Sequence, residues 1–258
     1  MQIKQLELKN YRNHKKIKLD FDSKGVLIVG ENGSGKTNLI EAINFLATGK
    51  PFRARYDREV ISHNEETATI RSVIATRGKE AQIGIMVTKS QKYENASSKK
   101  VKINSKGVKI GTLSQVVNCV LFSPLSMNLL INSPSTRRNF LDDILGQSSQ
   151  SYKKALRDYK KKKKKKNKIL EIIQETGKGE SQLEYWNDKV LNLGKEIQNK
   201  RRELIDFFRE NLNSKLKQSN SDLTAGVEYD INLMSEERLE EYKSREIAAG
   251  TSLIGPHR

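Results

Sequence analysis

The octapeptide at residues 30–37, GENGSGKT, constrains the fold more than any other stretch of the chain. Gly30, Gly35, Lys36 and Thr37 satisfy G-x-x-x-x-G-K-[ST], the spacing of a phosphate-binding loop. Glycines let the backbone curl so that successive N–H groups point at phosphate oxygens. Glu31, Asn32, Gly33 and Ser34 complete the expected cradle. At this spacing Lys36 reaches the β- and γ-phosphates of a nucleotide, and the Thr37 hydroxyl is placed to ligate Mg²⁺. A helix that follows adds the positive end of its dipole. The motif needs a strand before it and a helix after it. GVLIV (25–29) fits a buried parallel strand, and Leu39, Ile40, Ala42, Ile43 and Leu46 recur at helical spacing. The expectation is an α/β chain that takes ATP and Mg²⁺.

A chain of 258 residues makes one large domain or two modest ones. No run approaches the roughly 18 apolar residues of a membrane span. The opening MQIKQLELKN has no apolar signal segment, and the single cysteine, Cys119 in an apolar run, excludes an internal disulfide. Those features predict a cytoplasmic protein without membrane contact and a buried Cys119. The net charge of +17 points to a polyanionic partner. Its distribution is uneven: 24 basic and 13 acidic residues over 1–150 give +11, 11 and 1 over 151–170 give +10, and 13 and 17 over 171–258 give −4.

Along the chain, residues 1–30 read as three strands, with Ile17, Leu19 and Phe21 alternating before a turn at 22–25. Segments 67–76, 81–88 and 99–104 read as short strands of an antiparallel sheet, and a further strand ends at Phe122. PSTRRNFLDDIL (134–145) reads as a helix with proline in its first turn. Residues 151–175 and 181–217 form a long helical pair broken at Gly177 and Gly179. Strands are expected at 224–234 and 251–255, with a charged helix over 235–247 between them.

Together these segments resemble the RecF family of ABC/SMC-like recombination-repair ATPases. The resemblance rests on LELKNYRNH (6–14), GENGSGKTNLIEAINFLATGK (30–50), the pair VLFSP (120–124) and RRNFLDD (137–143), and LIGPHR (253–258). It implies an ABC-type P-loop ATPase head with a mixed β-sheet and an inserted helical arm. The head is expected over 1–148 with an antiparallel β subdomain, the arm over 149–247, and a return to the head at 248–258. It implies ATP-dependent binding of single-stranded or gapped DNA in recombinational repair and replication, support of SOS induction, an ATP-dependent homodimer, and RecO and RecR as partners. In such heads the turn after the first strand approaches the nucleotide phosphates, which gives Arg12 that role.

The family's Ser-Gln-Gly-Gln-type signature and Walker B strand are not found in these 258 residues. Phe140-Leu141-Asp142-Asp143 has too short an apolar lead and a helical pattern. No catalytic residue is assigned, and hydrolysis by this form is expected to be crippled. The run Lys160, Lys161, Lys162, Lys163, Lys164, Lys165 and Lys166, extended by Lys168, lies on an expected helix. It reads either as contact with DNA phosphates or as a solvated face. His14, His63 and His257 have no acidic or cysteine cluster around them, so no structural metal is expected. Tyr185 and Trp186, on a helical segment, read as helix packing ahead of base stacking. Two other classes remain in view: another SMC-like ATPase, and a nucleotide-gated DNA-binding scaffold without turnover. A GTPase is disfavoured because no [NT]-K-x-D element occurs. The basic charge disfavours a metabolic kinase.

Overall fold

The computed structural model describes residues 1–22, 25–76, 78–93, 95–219, 222–229 and 234–258. The chain forms two compact units, Met1–Phe122 and Ser123–Arg258.

The first unit is built on six strands: β1 (Gln2–Tyr11), β2 (His14–Asp20), β3 (Thr67–Thr76), β4 (Lys79–Lys89), β5 (Ser97–Ile103) and β6 (Lys106–Val108). Their spatial order is β2-β1-β3-β4-β5-β6, and every pairing is antiparallel. Alternation puts Leu6 and Leu8 of β1, Ile70 and Ile74 of β3, Ile83 and Ile85 of β4 and Val101 of β5 into one core. Helix α1 (Lys36–Thr48) covers that core with Leu39, Ala42, Phe45 and Leu46. The β1–β2 connection is a two-residue turn between Tyr11 and His14, with Arg12 at φ 54°. It is this turn that delivers residues 12–14 to the phosphate-loop motif.

Four expected strands do not form. Residues 25–29, 116–122, 251–255 and the described part of 224–234 have no ladder partners, and residues 230–233 lie outside the described residues. The reason is physical: an apolar extended run becomes a strand only where another backbone offers hydrogen bonds. At 25–29 no ladder forms among the described residues, and Leu27 is 86% exposed and Val29 77%. The sheet of the described residues is therefore antiparallel rather than mixed. Cys119 is half-buried, beside Asn44, and not fully enclosed.

The second unit is helical. It holds α2 (Asn128–Ile131), α3 (Pro134–Ser148), α4 (Gln150–Thr176), α5 (Glu180–Gln218), α6 (Glu236–Glu241) and α7 (Lys243–Ala249). Helices α4 and α5 pair as a hairpin, capped by Gly177 at φ 67° with its N–H on Ile173 O. One charged helix was expected over 235–247; two short ones form, breaking at Tyr242. Tyr152, Ala155, Tyr159, Val190, Leu191 and Ile197 make the main core, with Met234 seated against Gly194, where a Cβ would lie 2.8 Å from the Met234 side chain. Among the described residues no helix is long and apolar enough to cross a membrane.

Candidate functional site

The loop at 30–37 is held from two sides. Gly33 and Gly35 have φ of 84° and 101°, left-handed values that glycine adopts without strain. A Cβ on Gly35 would lie 2.5 Å from His14 Nε2 and 2.6 Å from Asn13 Oδ1, so the turn of residues 12–14 packs directly on the loop. Asn13 Nδ2 donates to Gly33 O at 3.1 Å, His14 Nε2 lies 3.2 Å from Gly35 O, and Asn38 Nδ2 donates to Asn13 Oδ1 at 2.9 Å. Lys36 Nζ donates to Gly30 O and Glu31 O, both at 2.7 Å. The ammonium is therefore folded over the loop's own carbonyls, while Thr37 stands exposed in the first turn of α1.

Arg12 is fixed beside this loop by a buried carboxylate. Its Nε donates to Glu41 Oε2 at 2.8 Å, its Nη2 to Glu41 Oε1 at 3.0 Å and its Nη1 to Glu59 O at 2.8 Å. Glu41 is fully buried and also accepts from the Tyr11 hydroxyl and the Arg53 backbone N–H. The hydrogen bond to Glu41 raises the Arg12 pKa, and burial followed by Glu41 raises that of Tyr11. A bidentate pair of this kind holds a guanidinium plane in one orientation.

An open cleft of about 700 Å³ adjoins the turn, lined by Arg12, Asn13, Asn38, Arg53, Glu59, Ile61 and His63. Residues 30–37 and Arg12 are thus neighbours through Asn13 and His14. Sequence reasoning missed Glu41, Asn38, Arg53 and His63. A signal existed for Glu41 alone: it is an acid on the buried face of α1, between Leu39 and Ala42.

The lysine run lies on α4 in the other unit and is not uniform. Lys160, Lys161, Lys164 and Lys165 are exposed, and Lys162 and Lys163 are half-buried. Lys165 Nζ sits 5.0 Å from the centre of the Trp186 ring, a cation–π contact on the α5 side. Lys166 departs from the expectation of a phosphate contact. It is fully buried, and its Nζ faces Glu246 Oε2 at 2.6 Å. A cation enclosed with its own carboxylate is not available to an external phosphate. Asp142 of the FLDD segment is likewise structural: it sits in α3 and accepts from Arg201 Nε at 2.9 Å and Nη2 at 3.0 Å.

Comparison with known proteins agrees with this geometry. A sequence family described as an AAA domain matches residues 5–244. The DNA replication and repair protein RecF of Bacillus cereus (strain G9842) is 34% identical over 274 residues, covering 100% of this chain and 71% of the relative. RecF of Bacillus thuringiensis (strain Al Hakam) is 33% identical with the same coverage. Among solved structures, the recombination mediator protein RecF-ATP in the RecFOR pathway superimposes with a TM-score of 0.86 at 28% identity, over 99% of this chain and 71% of that one. With its full length aligned to such relatives and its phosphate-loop motif backed by the turn of residues 12–14, the chain belongs to the RecF family.

Proposed function

We propose that this chain binds Mg²⁺-ATP through residues 30–37 and uses the nucleotide to control binding to DNA in recombinational repair and replication. The observation that carries the proposal is the loop itself. Left-handed Gly33 and Gly35 precede α1, and a lysine ammonium is held at its mouth. On binding, Lys36 exchanges two neutral carbonyl acceptors for charged phosphate oxygens, a stronger class of hydrogen bond. Thr37 supplies an oxygen to the Mg²⁺ that accompanies the phosphates. Arg12, already oriented by Glu41, lines the cleft beside this loop.

The finer reading follows the family. It includes a preference for single-stranded or gapped DNA, carried in part by the exposed lysines of α4, an ATP-dependent homodimer, cooperation with RecO and RecR, and a part in SOS induction. The solved relative described as RecF-ATP in the RecFOR pathway supports the nucleotide and the pathway. Calorimetry with Mg²⁺-ATP tests the site. Lys36→Ala removes a charge-assisted contact and is expected to weaken affinity by about tenfold or more. Equal affinity for both proteins rejects the assignment. Fluorescence anisotropy of gapped DNA with and without ATP tests the coupling, and identical curves reject it. Phosphate release above the Lys36→Ala background distinguishes an ATPase from a nucleotide-gated scaffold.

A further inference from the structure

The helical unit contains a second charged cavity that the nucleotide loop does not explain. It measures about 180 Å³ and is lined by the start of α3, one side of α4, Arg201 of α5 and the turn at Pro256 and His257. Several groups in its wall are already satisfied. Asp142, the one carboxylate among the described lining residues, is taken by Arg201 and by the Tyr152 hydroxyl. Arg201 also donates to Pro256 O at 2.6 Å. His257 Nδ1 lies 2.8 Å from the Tyr159 hydroxyl and its Nε2 3.1 Å from Ser252 O. That pattern suits a neutral imidazole that donates to the carbonyl and accepts from the phenol.

Arg138, Lys160 and Lys163 are different. All three line the cavity, and among the described residues none has a carboxylate within ion-pair distance. Burial and then Arg201 hold the Arg138 pKa down against a weaker pull from Asp142, while burial, Arg258 and Lys160 hold down that of Lys163. Like charges gathered around a partly desolvated space repel one another unless an anion joins them. Lys160 and Lys163 stand three apart on α4 and so project from one face, opposite Arg138 of α3. Ser135, in the first turn of α3, brings the positive end of that 15-residue helix to the same wall.

We propose that this cavity is a phosphate site, with Arg138, Lys160 and Lys163 as its ligands. A guanidinium fork and two ammonium groups arriving from different elements suit a tetrahedral oxyanion. The volume is a few times the roughly 30 Å³ share of one water, room for a group of five heavy atoms. The phosphate is supplied either by a nucleic-acid backbone or by a free phosphate or nucleotide. Only the first source rests on the DNA-binding reading given above. The site selects Lys160 and Lys163 from the lysine run, whereas Lys165 is engaged by Trp186 and Lys166 by Glu246.

His257 provides a reporter inside the wall. Inorganic phosphate is titrated into the full chain at pH 7 while the His257 ring resonance, assigned by its loss in His257→Gln, is followed by NMR. A saturable shift is expected, with none from chloride at matched ionic strength. Arg138→Gln and Lys163→Gln are each expected to weaken the phosphate response by about tenfold. Lys178→Gln, just beyond the C-terminal cap of α4, is expected to leave it unchanged. A response no different from chloride, or one that persists undiminished in both folded variants, overturns the site. Circular dichroism checks folding, and two variants on different helices guard against one failing to fold. The second arm measures single-stranded oligonucleotide binding against salt. A fall of about 0.7 in the log–log slope for Lys163→Gln, the value of one lost contact, assigns the phosphate to the nucleic-acid backbone. An unchanged slope with the NMR response intact assigns it to a free phosphate or nucleotide. If the unmodified chain binds no DNA, the DNA reading fails while the NMR arm still decides the cavity.

Discussion

Arg12 in the strand unit and Arg138 in the helical unit both border a cavity, yet they are held in opposite ways. Arg12 is matched by two oxygens of a fully buried Glu41 and by a backbone carbonyl. Arg138 has no carboxylate at ion-pair distance among the described residues, and burial and then Arg201 outweigh the weaker attraction of Asp142. The same opposition recurs within one turn of α4. Lys166 is sealed against Glu246, while three residues earlier Lys163 shares its surroundings with Arg258 and Lys160. A cation given a counter-charge by the fold is scaffold. A cation denied one is stored electrostatic energy that a bound anion releases. Neighbouring lysines in a single homopolymeric run therefore do different work.

Mutation should break that symmetry most visibly at Lys166. Lys166→Ala leaves Glu246 buried with a Ser252 hydroxyl and the N–H groups of Leu253 and Ile254 but no cation. Loss of one partner from a buried pair costs about 3–5 kcal/mol, and the remaining donors place the expectation near the lower end. Urea denaturation followed by far-UV circular dichroism reads this directly. A change under 1 kcal/mol would mean the pair is not formed in solution. Glu41→Ala should cost somewhat less, about 2–3 kcal/mol, because Arg12 keeps partial access to water while the Tyr11 hydroxyl loses its acceptor. The same variant should weaken ATP binding if Arg12 needs Glu41 for its orientation. Unchanged affinity would separate the two roles.

How far these features are legible in sequence depends on how local their causes are. The glycine-turned loop before α1 was legible because its geometry is written in eight consecutive residues. Strands β3 to β5 and helices α3 to α5 were legible from period and caps, since each buries a face that its own pattern defines. Residues 25–29 and 116–122 were not, because apolar content does not say whether a partner backbone arrives. Lys166 was legible in principle. Tyr152, Ala155, Tyr159, Leu170 and Ile173 form a buried stripe on α4, and Lys166 falls on it at i+7 from Tyr159. The uniformity of the run hid that phase. The neighbours of Arg138 and Lys163 come from α3, α4, α5 and the chain near 257, so the absence of an ion-pair partner for them among the described residues belongs to tertiary structure.

The uncompensated cavity also predicts a pH dependence. Burial, then Lys163, lowers the His257 pKa from an ordinary 6.5 to about 4. Between those values the unfolded chain binds a proton that the folded chain refuses, so stability falls as pH drops through this window and is unaffected above it. Allowing for the partial exposure of the ring, the loss is roughly 1–2 kcal/mol. Denaturation of the unmodified chain and of His257→Gln at pH 7 and pH 4.5 isolates the effect from that of the carboxylates. The difference between the two proteins should narrow at the lower pH. Parallel losses would show that His257 titrates normally and that the surrounding cations do not press on it.

The smallest expected effect is the most discriminating. Lys163→Ala removes one member of a repelling group that has no carboxylate partner among the described residues. Where Lys166→Ala destabilises, this change should be neutral or stabilising, by less than about 1 kcal/mol, since half-exposed charges interact weakly. Salt supplies the second criterion. Repulsion among cations near the surface is screened over about 10 Å at 0.1 M ionic strength, so any gain should vanish as salt is raised. Inorganic phosphate should act in the opposite direction, stabilising the unmodified chain and not the variant, because a ligand that binds only the folded state adds its binding free energy to stability. A Lys163→Ala chain clearly less stable than the parent at every salt concentration would mean that this lysine has a partner of its own. The contrast between α4's two kinds of lysine would then be lost.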